Sequence, residues 1–460
     1  MLLSERIPEP VLSACQTLKQ GGFAAYVVGG AIRDLLLFPN DNRAKDFDLT
    51  TSARPEQVVA LFGAHRVIPT GIAHGTVTVL FPAERKGGKP HPIEITTFRG
   101  EHGFSDGRRP DEVRFITDLT EDLRRRDFTI NAIAFDPLVG ELIDPFSGQA
   151  DLWRGLIRAV GQPAARFAED GLRVMRAVRF AAQLGFVVEP ETRAAFAGAL
   201  PTLRRVSKER IRDELLKMLR APAPGVGLSL LCLRSAQDPT LDWGPDRNML
   251  EVVFPELSRC VKTAADLDPW RAALETVTPA HRLLALLWPL RTFYKETLGS
   301  LAAPKRALGE LFDERLKLPS RERDFLVDVL AAPLFSPNLL PHLVGPPLRR
   351  LLAAHSEEVF EALFVCQRAA ALAHDDQSAV QALQLLWSNA KAERATKPPL
   401  KLTDLALTGK DLLAHLHLAP GPLCGQLLRE LLEWVLDDPQ RNDKDHLLAQ
   451  ARLRIAARTV

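Results

Sequence analysis

The sequence predicts an α/β domain at the N-terminus followed by an all-helical remainder, and three observations carry that reading. Residues 1–150 hold glycine clusters and short β-branched runs, AAYVVGG, GTVTVLF and IEITTF, which have the texture of strands in a mixed sheet. From Asp151 onward Leu, Ala, Arg and Glu recur at helical spacing, as in GLRVMRAVRFAAQLGF, SKERIRDELLKMLR and GPLCGQLLRELLEWVL. Proline-bearing joints at 221–225, 238–246, 336–347 and 396–399 are each expected to end a helix or mark a linker.

A chain of 460 residues is too long for one small core and is expected to divide into several domains. The opening MLLSERIPEP has charges and prolines where a signal peptide needs an apolar run, and no segment approaches the ~18 apolar residues of a membrane span. A cytoplasmic location is therefore expected. The five cysteines, Cys15, Cys232, Cys260, Cys366 and Cys424, are odd in number and widely spaced, so they read as small core residues rather than as disulfides or zinc ligands. Net charge is only +2, so any nucleic-acid surface must be a local basic patch.

Four motifs carry chemistry. In Lys45-Asp46-Phe47-Asp48-Leu49-Thr50 a strand would project Asp46 and Asp48 from one face and Phe47 and Leu49 from the other. Two hard carboxylates at that spacing suit Mg²⁺, which keeps water and substrate phosphates among its ligands. Alone, the pair also describes a solvated strand edge. Upstream, Tyr26-Val27-Val28-Gly29-Gly30-Ala31-Ile32-Arg33-Asp34 reads as a strand, a double-glycine turn and a helix start. Glycine lets a triphosphate approach the backbone, amides at a helix N-terminus favour anions, and Arg33 in the first turn can reach the same phosphates.

The third motif is Arg124-Arg125-Arg126-Asp127-Phe128-Thr129-Ile130-Asn131, a guanidinium run before a short apolar segment, which equally describes a basic solvated turn. The fourth, Glu169-Asp170-Gly171-Leu172-Arg173 continuing to Phe180, reads as a helix with Asp170 and Arg173 as neighbours at i and i+3. They form either a plain ion pair or a base-reading pair. Cytosine and adenine both set an exocyclic amine beside a ring-nitrogen acceptor, which a carboxylate and a guanidinium would satisfy together. Uracil and guanine would turn a carbonyl toward Asp170. Arg176 follows one i+3 step later, whereas Arg179 has drifted about half a turn from Asp170 on an ideal helix.

In this order, GGAIRD, KDFDLTTSA, RRDFTINA, EDGLRVMRAVRF and SKERIRDEL resemble the class II tRNA nucleotidyltransferase and bacterial poly(A) polymerase family of the polymerase-β-like superfamily. The resemblance implies an α/β head with a polymerase-β-like nucleotidyltransferase sheet (1–150), then an all-α neck (151–220), body (221–335) and tail (336–460). It implies Asp46 and Asp48 as catalytic, metal-binding aspartates and Gly30, Arg33, Arg126, Asp170, Arg173, Arg176 and Arg179 as nucleotide contacts. It further implies Mg²⁺ as cofactor, tRNA as partner, CTP, CTP and then ATP as substrates, and release of pyrophosphate.

Some features choose among relatives. Thr70 to Val79 (TGIAHGTVTV) resembles the tRNA enzymes rather than the poly(A) polymerases, and the glycine-rich charged stretch from Arg99 to Pro110 has the character of a mobile loop, which argues for enzymes that finish with A. An A-adding enzyme, a poly(A) polymerase and a non-catalytic RNA-binding protein remain as alternatives. The segment LLLFPNDNRAK before Asp46 is slightly longer than the family's usual spacing and implies a longer turn. No metal-dependent phosphohydrolase domain is expected, and His374-Asp375 reads as a solvated loop. Candidate tRNA phosphate contacts are Lys208, Arg210, Arg212, Lys401 and Lys410, with Thr408-Gly409 offering helix-start amides.

Overall fold

The computed structural model describes residues 3–41, 46–82, 90–102, 112–232, 248–261, 264–293, 305–336, 343–416 and 421–458. The chain forms two compact units, Met1–Ser258 and Arg259–Val460.

The first unit is built on a mixed sheet. Its strands are β1 (Ala25–Val28), β2 (Asp48–Thr51), β3 (Val67–Gly71), β4 (Thr76–Phe81), β5 (His91–Thr97), β8 (Ala134–Asp136) and β9 (Glu141–Ile143), in the order β3-β4-β5-β2-β1-β8-β9. β2 and β5 run parallel and the other neighbours antiparallel. The three runs expected as strands are β1, β4 and β5. β6 (Arg99–His102) and β7 (Glu112–Phe115) pair separately as an antiparallel hairpin. The expected mobile loop therefore springs from a hairpin stem, and its stretch 103–111 lies outside the described residues.

Helix α1 (Glu9–Gln20) buries Val11, Ala14, Cys15 and Leu18, one stripe at i, i+3, i+4 and i+7, and packs on β1 and on α3 (Pro55–Phe62). α2 (Gly30–Leu37) follows β1 directly. After α4 (Leu119–Arg124) and β9 the unit is dominated by helices: α5 (Gly148–Arg154), α6 (Pro163–Glu169), α7 (Leu172–Leu184), α8 (Pro190–Ala194), α9 (Phe196–Arg205) and α10 (Lys208–Arg220). α7 packs on α6, α9 and α10. α10 ends where the first proline joint begins, and the next helix starts at Pro224.

In the second unit the described elements are helical, the longest being Glu357–Ala373, Gln377–Ala395 and Pro422–Asp437. Leu427, Leu431 and Val435, at i, i+4 and i+8, join Leu412, Leu447 and Ala451 in a C-terminal core. Gln377–Ala395 stops at the joint beginning with Thr396. The joint at 238–246 lies outside the described residues, as does 337–342. Cys15, Cys232 and Cys366 are buried as expected, while Cys260 and Cys424 are only half-buried, and all five are free thiols. Burial is the main cause that pushes Cys15 and Cys366 up to about 12, which keeps them as unreactive thiols. His374 and Asp375 are exposed at the end of a helix, the solvated position expected of them.

Candidate active site

The site is built along the edge where β1 and β2 end and α2 begins. β1 delivers the chain into Gly29, whose φ of +78° is a left-handed value that suits glycine. A Cβ there would also stand 3.0 Å from Nη1 of Arg126, so the bare backbone lets that guanidinium lie against the turn. Arg126, the last of the arginine run, thus lines the glycine turn. Burial pulls its pKa down, its Nη1 makes only a 3.5 Å contact to the carbonyl of Asn131, and its Nε is buried with no hydrogen-bond partner. A cation left this poorly satisfied is suited to an incoming anion.

Across the sheet, Val28 of β1 pairs with Asp48 of β2, and Asp48 pairs in turn with Glu94 of β5. Regular strand structure begins at Asp48, so Asp46 sits in the approach to the strand. The alternation nonetheless holds: Phe47 and Leu49 are buried, whereas Asp46 and Asp48 are exposed. The Asp48 carboxyl is raised to about 6. Desolvation is the main cause and the charge of Glu94 the next; Arg126 opposes them and Asp46 adds to the rise. Glu94, which the sequence motifs did not single out, thus gives the edge a third carboxylate. The segment before it, including Lys45, lies outside the described residues.

This acidic edge has the chemistry of a divalent-cation site, with hard oxygen donors in mutual repulsion that a cation would relieve. Among the described residues no group of three or more His, Cys, Asp or Glu side chains is arranged to hold a metal ion by itself. An open pair of aspartates fits a cation that takes its remaining ligands from water and substrate phosphates.

Behind the glycine turn lies a buried polar chain. Nη1 of Arg33 donates to Oδ1 of Asn131 at 2.8 Å, and Nδ2 of Asn131 donates to Oδ1 of Asp127 at 3.2 Å. The other oxygen of Asp127 accepts from Nε of Arg176 at 2.6 Å. Burial would push the Asp127 carboxyl up, but the charge of Arg176 and hydrogen bonds from Asn131 and Arg176 prevail and hold it at about 2. Arg33, Arg176 and Arg179 also gather on one ring, with guanidinium carbons 5.0, 5.5 and 3.9 Å from the centroid of Phe180. Helical drift had left Arg179 the least secure of the set, yet its Nε bonds Glu214 at 2.5 Å and its Nη1 bonds Gln183 at 2.9 Å. Its position is set by tertiary packing.

One local expectation is corrected. Asp170 and Arg173 do not share a helix: α6 ends at Glu169, Asp170 is extended (φ −144°, ψ 107°), and α7 starts at Leu172. The break falls at Asp170, beside Gly171, where a Cβ would fall 2.4 Å from the backbone nitrogen of Leu203 and 2.6 Å from the carbonyl carbon of Thr202. α9 crosses too closely for a side chain. The Oδ1 of Asp170 accepts from the amide of Leu172, the first residue of α7, at 3.0 Å, and its Oδ2 pairs at 2.8 Å with Arg210 of α10 instead of with Arg173. Arg173 donates to Glu169 at 2.5 Å and to the carbonyls of Arg166 and Arg125 at 2.9 and 3.0 Å.

Two candidate phosphate contacts have partners within the protein. Arg210 is committed to Asp170. At Thr408-Gly409 the Asp411 carboxylate already accepts from the amide and hydroxyl of Thr408, at 2.9 and 2.6 Å, and binds Lys444 at 2.6 Å, so the helix start is internally neutralised. Lys401 and Lys410 are exposed, Lys208 is half-buried, and Arg212 pairs with its neighbour Asp213 at 2.8 Å.

A mixed sheet whose glycine turn faces a pair of strand-edge aspartates, with arginines gathered behind it, defines the class: a nucleotidyltransferase head followed by helical domains. Comparisons agree. Family models match the poly(A) polymerase head domain at residues 25–158, a "Probable RNA and SrmB-binding site of polymerase A" at 185–235, and tRNA nucleotidyltransferase domain 2 at 356–451. A CCA-adding enzyme of Lactobacillus helveticus is 45% identical over 260 residues, 56% of this chain and 62% of that relative, so in this match the chain spans under two thirds of the relative's length. A CCA-adding enzyme of Lactiplantibacillus plantarum is 34% identical over 442 residues, 95% of this chain and 94% of the relative. The crystal structure of the Bacillus stearothermophilus CCA-adding enzyme in complex with CTP superposes with a TM-score of 0.65 at 30% identity, covering 98% of this chain and 99% of that one. The chain belongs to the CCA-adding enzyme family of tRNA nucleotidyltransferases. Divalent-metal dependence is a property of that class.

Proposed function

We propose that the protein adds C, C and A in turn to the 3′ end of tRNA, consuming CTP, CTP and ATP and releasing pyrophosphate at each step. The observation that carries the reading is the convergence at Asp127, which ties Arg33, on the glycine-turn side, through Asn131 to Arg176 on α7. A nucleotide lying along this chain would set its phosphates by the turn and its base toward Asp170. Gly30, Arg33 and Arg126 then serve the triphosphate, Asp170 and Arg173 the base, and Arg176 and Arg179 the nucleotide between them.

Asp46 and Asp48 would hold Mg²⁺, which when bound supplies the positive charge that favours an ionised 3′-hydroxyl and a departing pyrophosphate. The acidic edge fits that role because the charges of Glu94 and Asp46 both act against ionisation of Asp48. Templating follows from hydrogen-bond polarity: an ionised Asp170 only accepts, so it takes the amine of cytosine or adenine and rejects the carbonyl of uracil or guanine. We assign residues 1–150 to a catalytic head, 151–220 to a base-reading neck, 221–335 to a body and 336–460 to a tRNA-binding tail. Exposed lysines such as Lys401 and Lys410 would meet tRNA phosphates, giving binding that weakens with salt. A cytoplasmic location suits a tRNA substrate, and among the described residues no helix is long and apolar enough to cross a membrane.

The head is shared with poly(A) polymerases, so an A-adding or poly(A)-forming product is the second reading. One assay decides. Purified protein is given tRNA acceptors ending at each stage with CTP alone, ATP alone and both. Completion to CCA supports the proposal; incorporation of C alone, of A alone, or of long A tails on a generic RNA overturns it.

A further inference from the structure

Asp170 is held at both oxygens. Oδ1 accepts from the Leu172 amide at the start of α7, and Oδ2 accepts from Nη2 of Arg210, two turns away in neither sequence nor element but on the separate helix α10. A carboxylate carries about four lone-pair sites. Two are filled by these donors, so the plane of the group is fixed while acceptor capacity is left on each oxygen. Arg173, the expected partner, is unable to perform this task in the same arrangement, because its guanidinium is engaged by Glu169 and by the carbonyls of Arg166 and Arg125. The other terminal nitrogen of Arg210, Nη1, is buried and has no hydrogen-bond partner, so the Asp170 ion pair is what orients this guanidinium.

We propose that Arg210 is a specificity-determining positioning residue: it locks Asp170 as an acceptor in a fixed orientation and thereby enforces the preference for cytosine and adenine over uracil and guanine. The inference rests on the assignment of Asp170 to base reading. Rejection of a wrong base needs more than the presence of a carboxylate. If Asp170 were able to swing aside, a uracil or guanine carbonyl would meet empty space, and the penalty would vanish. The Leu172 amide alone leaves rotation about that bond; the Arg210 pair from a second helix removes it. Arg210 thus acts through Asp170 without touching the nucleotide.

The test is single-nucleotide incorporation opposite no template, with each of CTP, ATP, UTP and GTP, on tRNA acceptors lacking CCA, CA or A. Wild type is compared with Arg210→Met, which keeps the apolar stem, Arg210→Gln and Arg210→Lys. The Met and Gln variants are expected to lose about tenfold of the preference in kcat/KM for CTP over UTP and for ATP over GTP, with Lys recovering part of it. A loss of rate shared equally by all four nucleotides would be a merely structural effect and overturns the proposal, as does an unchanged preference in a folded variant. Should the Met variant fail to fold by circular dichroism, the Gln variant decides by the same ratio. Failure of the wild type to extend any acceptor counts against the proposed function; extension by the wild type with unaltered selectivity in the variants counts against Arg210 alone.

Discussion

Asp48 and Glu94 stand opposite each other on the parallel strands β2 and β5, and this register places two carboxylates side by side where Asp46 adds a third. Such an edge is destabilised by its own charge, so a divalent cation that binds it stabilises the fold. At a hundredfold excess over its dissociation constant the cation contributes about 2.7 kcal/mol. Thermal melting with and without millimolar Mg²⁺ should show an upward shift in wild type that Asp48→Asn abolishes. The same substitution should remove nucleotide incorporation while sparing tRNA binding. A full metal-induced shift in Asp48→Asn would place the cation elsewhere.

Asn131 uses both ends of its amide, accepting from Arg33 and donating to Asp127. Asn131→Ala leaves both partners short of a bond in a buried setting, with an expected loss of about 1–3 kcal/mol in stability by urea denaturation. Asn131→Asp should impair nucleotide binding more than the alanine does. It cancels the charge of Arg33 and sets a second carboxylate against Asp127. KM values for CTP in the two variants check this order, and equal values would show that the polarity of the bridge is immaterial.

The parts of this site that the sequence disclosed are those in which chemistry is local. The double glycine, the alternation of Asp46 and Asp48 with Phe47 and Leu49, and the three strand runs each depend on neighbours a few residues apart, and periodicity reports such neighbours. Glu94 and Phe180 escaped, and Arg210 reads from sequence only as a phosphate contact, because their roles arise from partners far along the chain: Glu94 through sheet register, Arg210 through a helix 40 residues beyond Asp170, and Phe180 through arginines of two helices. Periodicity also misled at Asp170. An apolar pattern that fits a helix gives no sign that the chain turns extended at Asp170 or that α9 lies against Gly171.

Asp127 provides a pH test. Its folded pKa, about 2, lies below the ordinary aspartate value of 3.8, so the unfolded chain takes up a proton first as pH falls. The stabilisation is fully present above pH 4 or so and is lost between about pH 4 and 2, amounting to about 2 kcal/mol for the buried pair. Denaturation midpoints measured downward from pH 6 should fall less steeply in Asp127→Asn than in wild type over that window, from a lower starting stability. An identical slope in both proteins would mean that Arg176 and Asn131 do not hold the carboxyl down.

Gly171 makes the last prediction, and it joins packing to selectivity. A methyl group there meets backbone atoms of Leu203 and Thr202 at 2.4 and 2.6 Å, and backbone of a packed helix yields less readily than a side-chain tip. Gly171→Ala must therefore push α9 away from the junction of α6 and α7, at an expected cost of about 1–3 kcal/mol. The displacement acts on the residue that precedes it, since Asp170 is aimed by the Leu172 amide on one side of Gly171 and by Arg210 on a helix that packs against α7. The variant should melt at lower temperature and also misincorporate UTP and GTP more often than wild type. Gly198, where an added Cβ meets nothing within 4 Å, is the control: Gly198→Ala should leave nucleotide selectivity unchanged. If Gly171→Ala lowered stability yet kept full discrimination, Asp170 would have to be aimed by Arg210 alone, with the cap on Leu172 playing no part.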